Sequence, residues 1–315
     1  MATEPKTLQE AVIFYADPDN CLNFLMARRP EWKDGAVCPA CGSKDVAFLK
    51  SRRLWQCKTR HPKAQFSIKV GTIFEDSPIG LDKWLVAMWM IANCKNGISS
   101  WELHRALGVS QKAAWFMLQR LRLAMQDDLT GGKLGNEVEI DETFVGGKAR
   151  NMHKATRARK ITGTGGKDKT IVMGMLERGG NVRAMVVDNR RKKELQKNIH
   201  EHIEAGAAIF TDELKSYDGL EDSFRHRVIN HAVEYANGNV HTNGMENFWS
   251  LVKRQLHGTY ISVEPFHLFR YIDEQAFRFN NRKDMNDSDR FNALASRIVG
   301  KRLTFAEVTG KIGEK

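Results

Sequence analysis

Two groups of residues in this chain have the types and spacing for metal chemistry. The first is Cys38-Pro39-Ala40-Cys41, with Gly42 after it: fifteen residues separate Cys41 from Cys57, and three separate Cys57 from His61. Two thiolates separated by two residues, with a glycine that permits the tight turn, aim both sulfurs at one ion. Cys57 and His61 supply a second pair, and the set of four reads as one structural Zn²⁺ site. The second group consists of acids. Asp141 lies inside the strand-like stretch Val138 to Val145, where a buried carboxylate is costly without a cation or donor to match it. Asp212 closes the short apolar run Ala207-Ala208-Ile209-Phe210-Thr211. Glu246 lies seven residues before Lys253 on a helical stretch, so both project on nearly the same side, roughly 10 Å apart. Such an acid can hold a divalent cation while the lysine grips a phosphate. A solvated polar edge of an amphipathic helix explains Glu246 and Lys253 when they are considered alone.

Composition narrows the partner. The 315 residues carry 49 Lys and Arg against 38 Asp and Glu, a net charge of +11, which points to a polyanion, with nucleic acid first and an anionic membrane surface second. Seven Trp and sixteen Phe argue against a disordered basic tail. No apolar run approaches the ~20 residues of a membrane span. The first residues lack a secretory pattern, so a cytoplasmic protein is expected. Five cysteines, clustered and odd in number, favour metal over disulfides.

The elements that must position these residues follow from periodicity. Residues 7–29 predict two short helices broken at Asp17-Pro18-Asp19-Asn20. Short strands at 46–49, 53–56 and 65–68 join the two metal-binding pairs, the layout of a zinc ribbon. A wide apolar face (Leu81, Trp84, Leu85, Met88, Trp89, Ile91) predicts a helix to about Cys94. Ser99 or Ser100 then caps a short helix through Leu107, Gly108-Val109-Ser110 turns, and Gln111 to Met125 make a longer helix. That is a helix-turn-helix pattern. Its second helix opens with Gln111, Lys112 and Trp115 at the base-reading end, with Arg120 and Arg122 adding charge. A generic helical pair shares this periodicity.

After a glycine-rich linker at 131–135, a strand at 137–147 carries Asp141. Residues 148–169 hold eight Lys or Arg (Lys148, Arg150, Lys154, Arg157, Arg159, Lys160, Lys167, Lys169) and the single acid Asp168. This reads as a loop that orders on DNA. Strands at 170–176 and 182–187 form a hairpin through Arg178-Gly179-Gly180-Asn181. A helix through Leu195, Ile199 and Ile203 ends at Gly206, and the strand ending at Asp212 follows. A turn at 216–220, a strand at 227–231, a helix that Asn243 can cap, and a helix from Glu264 to Arg282 complete the order.

The stretches CPACG, GTIF, VEIDETFVGGK, FTDELKSYDGL, HTNGMENFWSLVKRQLHGTY and FRYIDEQAFRFNNR together resemble the insertion-sequence DDE transposases with an N-terminal zinc ribbon, the ISXO-like group. The resemblance runs from about residue 20 to 300. It implies an α/β fold: an RNase H-like catalytic domain (a mixed sheet flanked by helices) preceded by a zinc ribbon and a helix-turn-helix. The expected boundaries are an N-terminal helical segment at 1–30, the ribbon at 31–75, the helix-turn-helix domain at 76–130, the catalytic domain at 136–285 and a C-terminal tail at 286–315. In such a fold the first and fourth strands are central neighbours and a late helix crosses them. Asp141, Asp212 and Glu246 then converge on two Mg²⁺ or Mn²⁺ ions. The implied reaction is cleavage at element ends followed by 3′-OH attack on target DNA.

Lys253 matches the basic residue seven after the third acid, and 33 residues separate Asp212 from Glu246, a spacing similar to that of DDE enzymes. Some members use asparagine as the third ligand, so Asn243 competes with Glu246, which is favoured for its charge and its register with Lys253. His61 stands where a ribbon cysteine is more usual. Gln111, Lys112, Arg120, Arg157, Arg159, Lys160, Lys253 and Arg254 are the candidate DNA contacts. The implied partner is double-stranded DNA, both terminal inverted repeats and target, bound by a homo-oligomer in a bacterial cytoplasm at the nucleoid. A relative that only binds DNA and a structure-selective two-metal nuclease are the competing readings.

Overall fold

The computed structural model describes residues 4–126, 132–146, 153–160, 169–229 and 241–310. The chain divides into two compact units, Met1–Met125 with Lys283–Lys315, and Gln126–Arg282.

In the first unit, α1 (Leu8–Tyr15) and α2 (Pro18–Met26) are each capped at the residue before them. Thr7 accepts from the Glu10 amide and Asp17 from the Asp19 amide, with Pro18 opening α2, where its missing N–H costs nothing. The break at Asp17-Pro18 is thus the start of the second helix. A three-stranded antiparallel sheet follows: β1 (Val46–Leu49), β2 (Leu54–Cys57) and β3 (Gln65–Phe66). Trp55 packs between Trp32 and Phe66 with centroids 4.9 and 6.0 Å away, a small core for a small sheet. Then come α3 (Leu81–Asn93), with Trp84, Leu85, Met88, Trp89 and Ile91 buried, α4 (Ser100–Leu107) and α5 (Gln111–Met125). Ser99 and Glu102 form a reciprocal capping box on α4. Gly108 ends it in the left-handed region, at φ 60°, which favours glycine.

The second unit contains β4 (Glu137–Val145), α6 (Lys154–Lys160), β5 (Thr170–Glu177), β6 (Val182–Val187), α7 (Lys192–His202), β7 (Ala208–Thr211), β8 (Arg225–Val228), α8 (Asn243–Gln255) and α9 (Leu268–Asn280). The sheet order is β6-β5-β4-β7-β8. β4 runs antiparallel to β5 and parallel to β7, which is parallel to β8. Helices cover both faces. Val138, Ile140, Met173 and Met175 pack against Leu195 and Ile199 of α7. Val172 and Leu176 pack against Met245, Phe248, Trp249 and Val252 of α8 and Leu268 and Ile272 of α9. This is the mixed sheet flanked by helices of an RNase H-like domain, with the first and fourth strands adjacent at its centre. Because strand side chains alternate, Val138 and Ile140 facing α7 leave Glu137, Glu139 and Asp141 on the α8 face.

Several elements depart from expectation. The basic segment contains α6, while the expected loop residues 147–152 and 161–168 lie outside the described residues. α7 ends at His202, four residues before Gly206, because Ile203 is extended and bridges to Leu134. β8 begins at Arg225 rather than 227, and the expected strand end at Asn230 and His231 lies outside the described residues. α9 starts at Leu268 rather than Glu264, because Pro265–His267 forms a separate 3-10 turn.

The expected C-terminal tail is instead part of the first unit's core. α10 (Asp287–Ala295) is capped by Asn286, and its Phe291 lies 5.2 Å from the Phe24 ring and 5.0 Å from the Trp89 ring. α11 (Phe305–Thr309) is capped by Thr304 and buries Val308. These capping boxes and the apolar spacing of Phe291, Leu294 and Ile298 bring the tail into a packed layer.

Candidate active site and metal centres

The Cys38, Cys41, Cys57 and His61 ligand atoms all lie within 4.8 Å of one another. Cys38 Sγ is 3.4 Å from His61 Nε2, and Cys41 Sγ is 3.6 Å from Cys57 Sγ. The turn after Cys38 closes through a Gly42 N–H bond to the Cys38 carbonyl at 2.8 Å, and Cys57 terminates β2. Burial opposes ionisation of Cys38, but the amides of Ala40 and Cys41 and the neighbouring thiols outweigh it, and its pKa falls. Three sulfurs and one imidazole at this spacing form a Cys3His zinc-binding site.

The acids sit in the second unit. Asp141 lies opposite Gly174 of β5, and the parallel register of β4 with β7 pairs Glu139 with Phe210. Asp212 directly follows Thr211, the last residue of β7, and its charge is felt at Asp141. Glycine at 174 lets α8 lie directly on the sheet, since a Cβ there would fall 2.2 Å from Met245 Cε and 2.7 Å from Trp249 Cζ2. Asp141 Oδ2 accepts from the Trp249 indole N–H at 3.0 Å, and Oδ1 accepts from the Glu142 amide at 2.8 Å. Burial raises the Asp141 pKa above the ordinary carboxylate value. Those two donors oppose the rise, and the charges of Asp212 and Glu246 add to it. Glu142 is pushed up to about 8, by burial first and then by Asp212 and Asp141. Its carboxylate accepts from the Tyr217 hydroxyl, which reaches it from the turn after Asp212. Asp212 Oδ1 accepts from the Leu214 amide at 3.1 Å.

Asp141, Glu142, Thr143, Glu246, Trp249, Ser250 and Lys253 line an open cleft of about 430 Å³. Glu246 and Lys253 are exposed and share this wall, whereas Asn243, one turn earlier on α8, is exposed and outside the lining. Asp212 is not part of that wall and reaches Asp141 through its charge. Asn243 is also not the helix cap. It is the first helical residue, and Thr242 in the cap position makes no side-chain capping bond.

The candidate DNA contacts divide. Lys112 is exposed at the opening of α5, its ammonium 4.7 Å from the Phe305 ring. The Gln111 amide donates to Ser100 Oγ at 2.9 Å and ties α5 to α4. Arg120 is a correction. It is only 5 % exposed, and its guanidinium donates to the carbonyls of Leu303, Ile73 and Glu75, so it holds the unit together. Arg122 is likewise buried. A long cation on an amphipathic helix reads as surface charge, and only the fold reveals the carbonyls that receive it. Arg157 and Arg254 are exposed. Arg159 and Lys160 belong to α6, and their side chains lie outside the described residues.

Sequence reasoning missed Trp249, Glu142, Tyr217 and Glu139. The one legible signal was the alternation Glu137, Glu139, Asp141, which repeats acids on one strand face.

Comparison with known proteins agrees with this architecture. Residues 133–280 match the ISXO2-like transposase domain, and residues 17–59 match the transposase zinc-ribbon domain. An uncharacterized protein in transposable element ISH50 of Halobacterium salinarum is 30 % identical over 238 residues, covering 71 % of this chain and 79 % of that protein. An uncharacterized transposase-like protein of Haemophilus influenzae is 35 % identical over 101 residues, 32 % of this chain and 81 % of that protein. The chain belongs to the ISXO2-like insertion-sequence transposases with an N-terminal zinc ribbon. No helix among the described residues is long and apolar enough to cross a membrane.

Proposed function

We propose that this transposase cleaves DNA at its element's ends and joins the freed 3′-OH to target DNA, with Asp141, Asp212 and Glu246 holding two Mg²⁺ or Mn²⁺ ions. The observation that carries this is the open cleft whose wall Asp141, Glu246 and Lys253 share, with burial raising the Asp141 pKa and the charges of Asp212 and Glu246 adding to that rise against its two hydrogen-bond donors. Carboxylates that repel one another suit a divalent cation, which reverses the repulsion, and hard oxygen donors are what Mg²⁺ takes. When bound, such a pair of ions activates the attacking oxygen and stabilises the leaving oxygen of an in-line displacement.

The chain's own residues do the rest. Trp249 and the Glu142 amide aim the Asp141 carboxylate. Lys253, on the wall of the same cleft, holds a phosphate of the strand being cut. Glu246 is the third ligand rather than Asn243, because it carries a charge that Asp141 feels and shares that wall with it. Lys112 in the first unit, and Arg157, Arg159, Lys160 and Arg254 in the second, are the contacts to the DNA backbone. The ribbon, ordered by its zinc, and the α4–α5 pair bind the terminal inverted repeats. Joining two ends to one target calls for a homo-oligomer on double-stranded DNA, in the cytoplasm at the nucleoid.

The test is incubation of the protein with Mg²⁺ and a duplex carrying the inverted repeat. Cleavage with strand joining is expected. Tight binding without cleavage would indicate a relative that only binds DNA, and cleavage without joining would indicate a structure-selective nuclease.

A further inference from the structure

A helix start leaves amide N–H groups that something outside the helix must satisfy. α8 has no side-chain cap of its own at Thr242. The strand supplies one: the Met245 N–H donates to Glu139 Oε2 at 3.0 Å. Glu139 is 1 % exposed, and its other oxygen accepts from Arg178 Nε at 3.0 Å and lies 3.3 Å from His241 Nδ1. Arg178 also donates to Glu137 Oε2 at 3.0 Å and to the His241 carbonyl at 2.8 Å, and it lies over the Phe210 ring at 4.0 Å. Negative charge at this end of a helix is favoured by the helix dipole. Gly244 completes the fit, because a Cβ there would fall 2.8 Å from Glu139 Oε2 and 2.5 Å from Leu176 Cδ2.

The consequence is geometric. Glu139 and Asp141 project from the same face of β4, two residues and about 7 Å apart. Met245 and Glu246 are consecutive on α8. One rigid strand segment therefore carries both the acid that anchors the helix start and an acid of the cleft. We infer that Glu139 is a positioning residue: by capping α8 it sets the separation of Glu246 from Asp141, and with it the affinity of the site for a divalent cation. Both Glu139 oxygens are engaged internally, and Glu139 does not line the cleft. The inference rests on the proposed ligand roles of Asp141 and Glu246.

The test uses the full zinc-loaded chain without DNA. Mn²⁺ binding is read by electron paramagnetic resonance, and amide hydrogen exchange is followed over residues 243–246. Asp141→Asn sets the reference and is expected to abolish Mn²⁺ binding; if it does not, the ligand assignment falls and this inference with it. Glu139→Ala is expected to weaken Mn²⁺ binding about tenfold and to speed exchange at the start of α8. Binding of the end duplex without divalent ions should stay unchanged. Glu139→Gln keeps an acceptor for the Met245 N–H and should recover most of the affinity. Faster exchange with wild-type Mn²⁺ binding would overturn the positioning role while leaving the ligand assignment intact, and unchanged exchange would overturn the cap. Should Glu139→Ala fail to fold, Gly244→Ala, which pushes the helix start off Glu139, takes its place with the same expectation, and wild-type Mn²⁺ binding by that variant overturns the inference.

Discussion

The indole N–H of Trp249 donates to Asp141 Oδ2 at 3.0 Å, a bond that ties α8 to β4 within one helical turn of Glu246. Trp249 is itself buried against Gly174, the cross-strand partner of Asp141. One ring therefore packs the helix onto the sheet and orients the carboxylate between them.

Trp249→Phe retains most of that packing and removes the donor. A hydrogen bond to a charged group contributes about 1.5–3 kcal/mol, and loss of a ligand's orienting partner typically costs about 10–100-fold in metal affinity or activity. Single-turnover cleavage of an end duplex should slow by that factor, with duplex binding unchanged. Wild-type cleavage would show that Asp141 needs no such guide.

The zinc site predicts a selective failure. Cys38→Ser, or a chelator, should release the zinc and unfold β1–β3, because a ribbon this small depends on its metal to fold. The second unit should keep its structure. His61→Cys should retain zinc, since four thiolates are an equally common set. Metal analysis and circular dichroism check both, and a preparation without zinc but with an unchanged fold would contradict the assignment.

Arg120 and Lys112 lie on one helix and should behave oppositely. Arg120→Ala strips three carbonyls of their donor and should destabilise the first unit by about 1–3 kcal/mol or more, seen as a lower melting temperature. Lys112→Ala should leave stability unchanged and weaken DNA binding across sequences. The reverse pattern would return Arg120 to the DNA surface.

Salt should weaken DNA binding steeply, through exposed cations and the net charge of +11. Lys253→Ala should reduce the slope of log K against log salt by about 1 if Lys253 grips a phosphate. A slope identical to wild type would remove Lys253 from the interface.

Much of this architecture can be read from one sequence because local rules dominate it. The apolar periodicity of α3, the capping serines of α4 and α5, the glycine turn of the β5–β6 hairpin and the paired cysteines each act over a few residues. What stays illegible depends on distant partners. Glu139 and Asp141 are the same kind of residue two places apart, yet one meets the Met245 amide and the other the Trp249 indole, more than 100 residues away in sequence. Arg120 looks like surface charge until Leu303 arrives from the far end of the chain. The C-terminal helices read as a tail for the same reason, since Phe291 has its aromatic partners in α2 and α3.

The most direct measurement is Mg²⁺-dependent cleavage of the end duplex by four single variants beside the wild type. Asp141→Asn, Asp212→Asn and Glu246→Gln should each abolish cleavage while binding the duplex normally, and Asn243→Ala should still cleave. Cleavage by Asp212→Asn, or loss of cleavage in Asn243→Ala with retention in Glu246→Gln, would contradict the assignment of Asp141, Asp212 and Glu246 as the metal-binding acids.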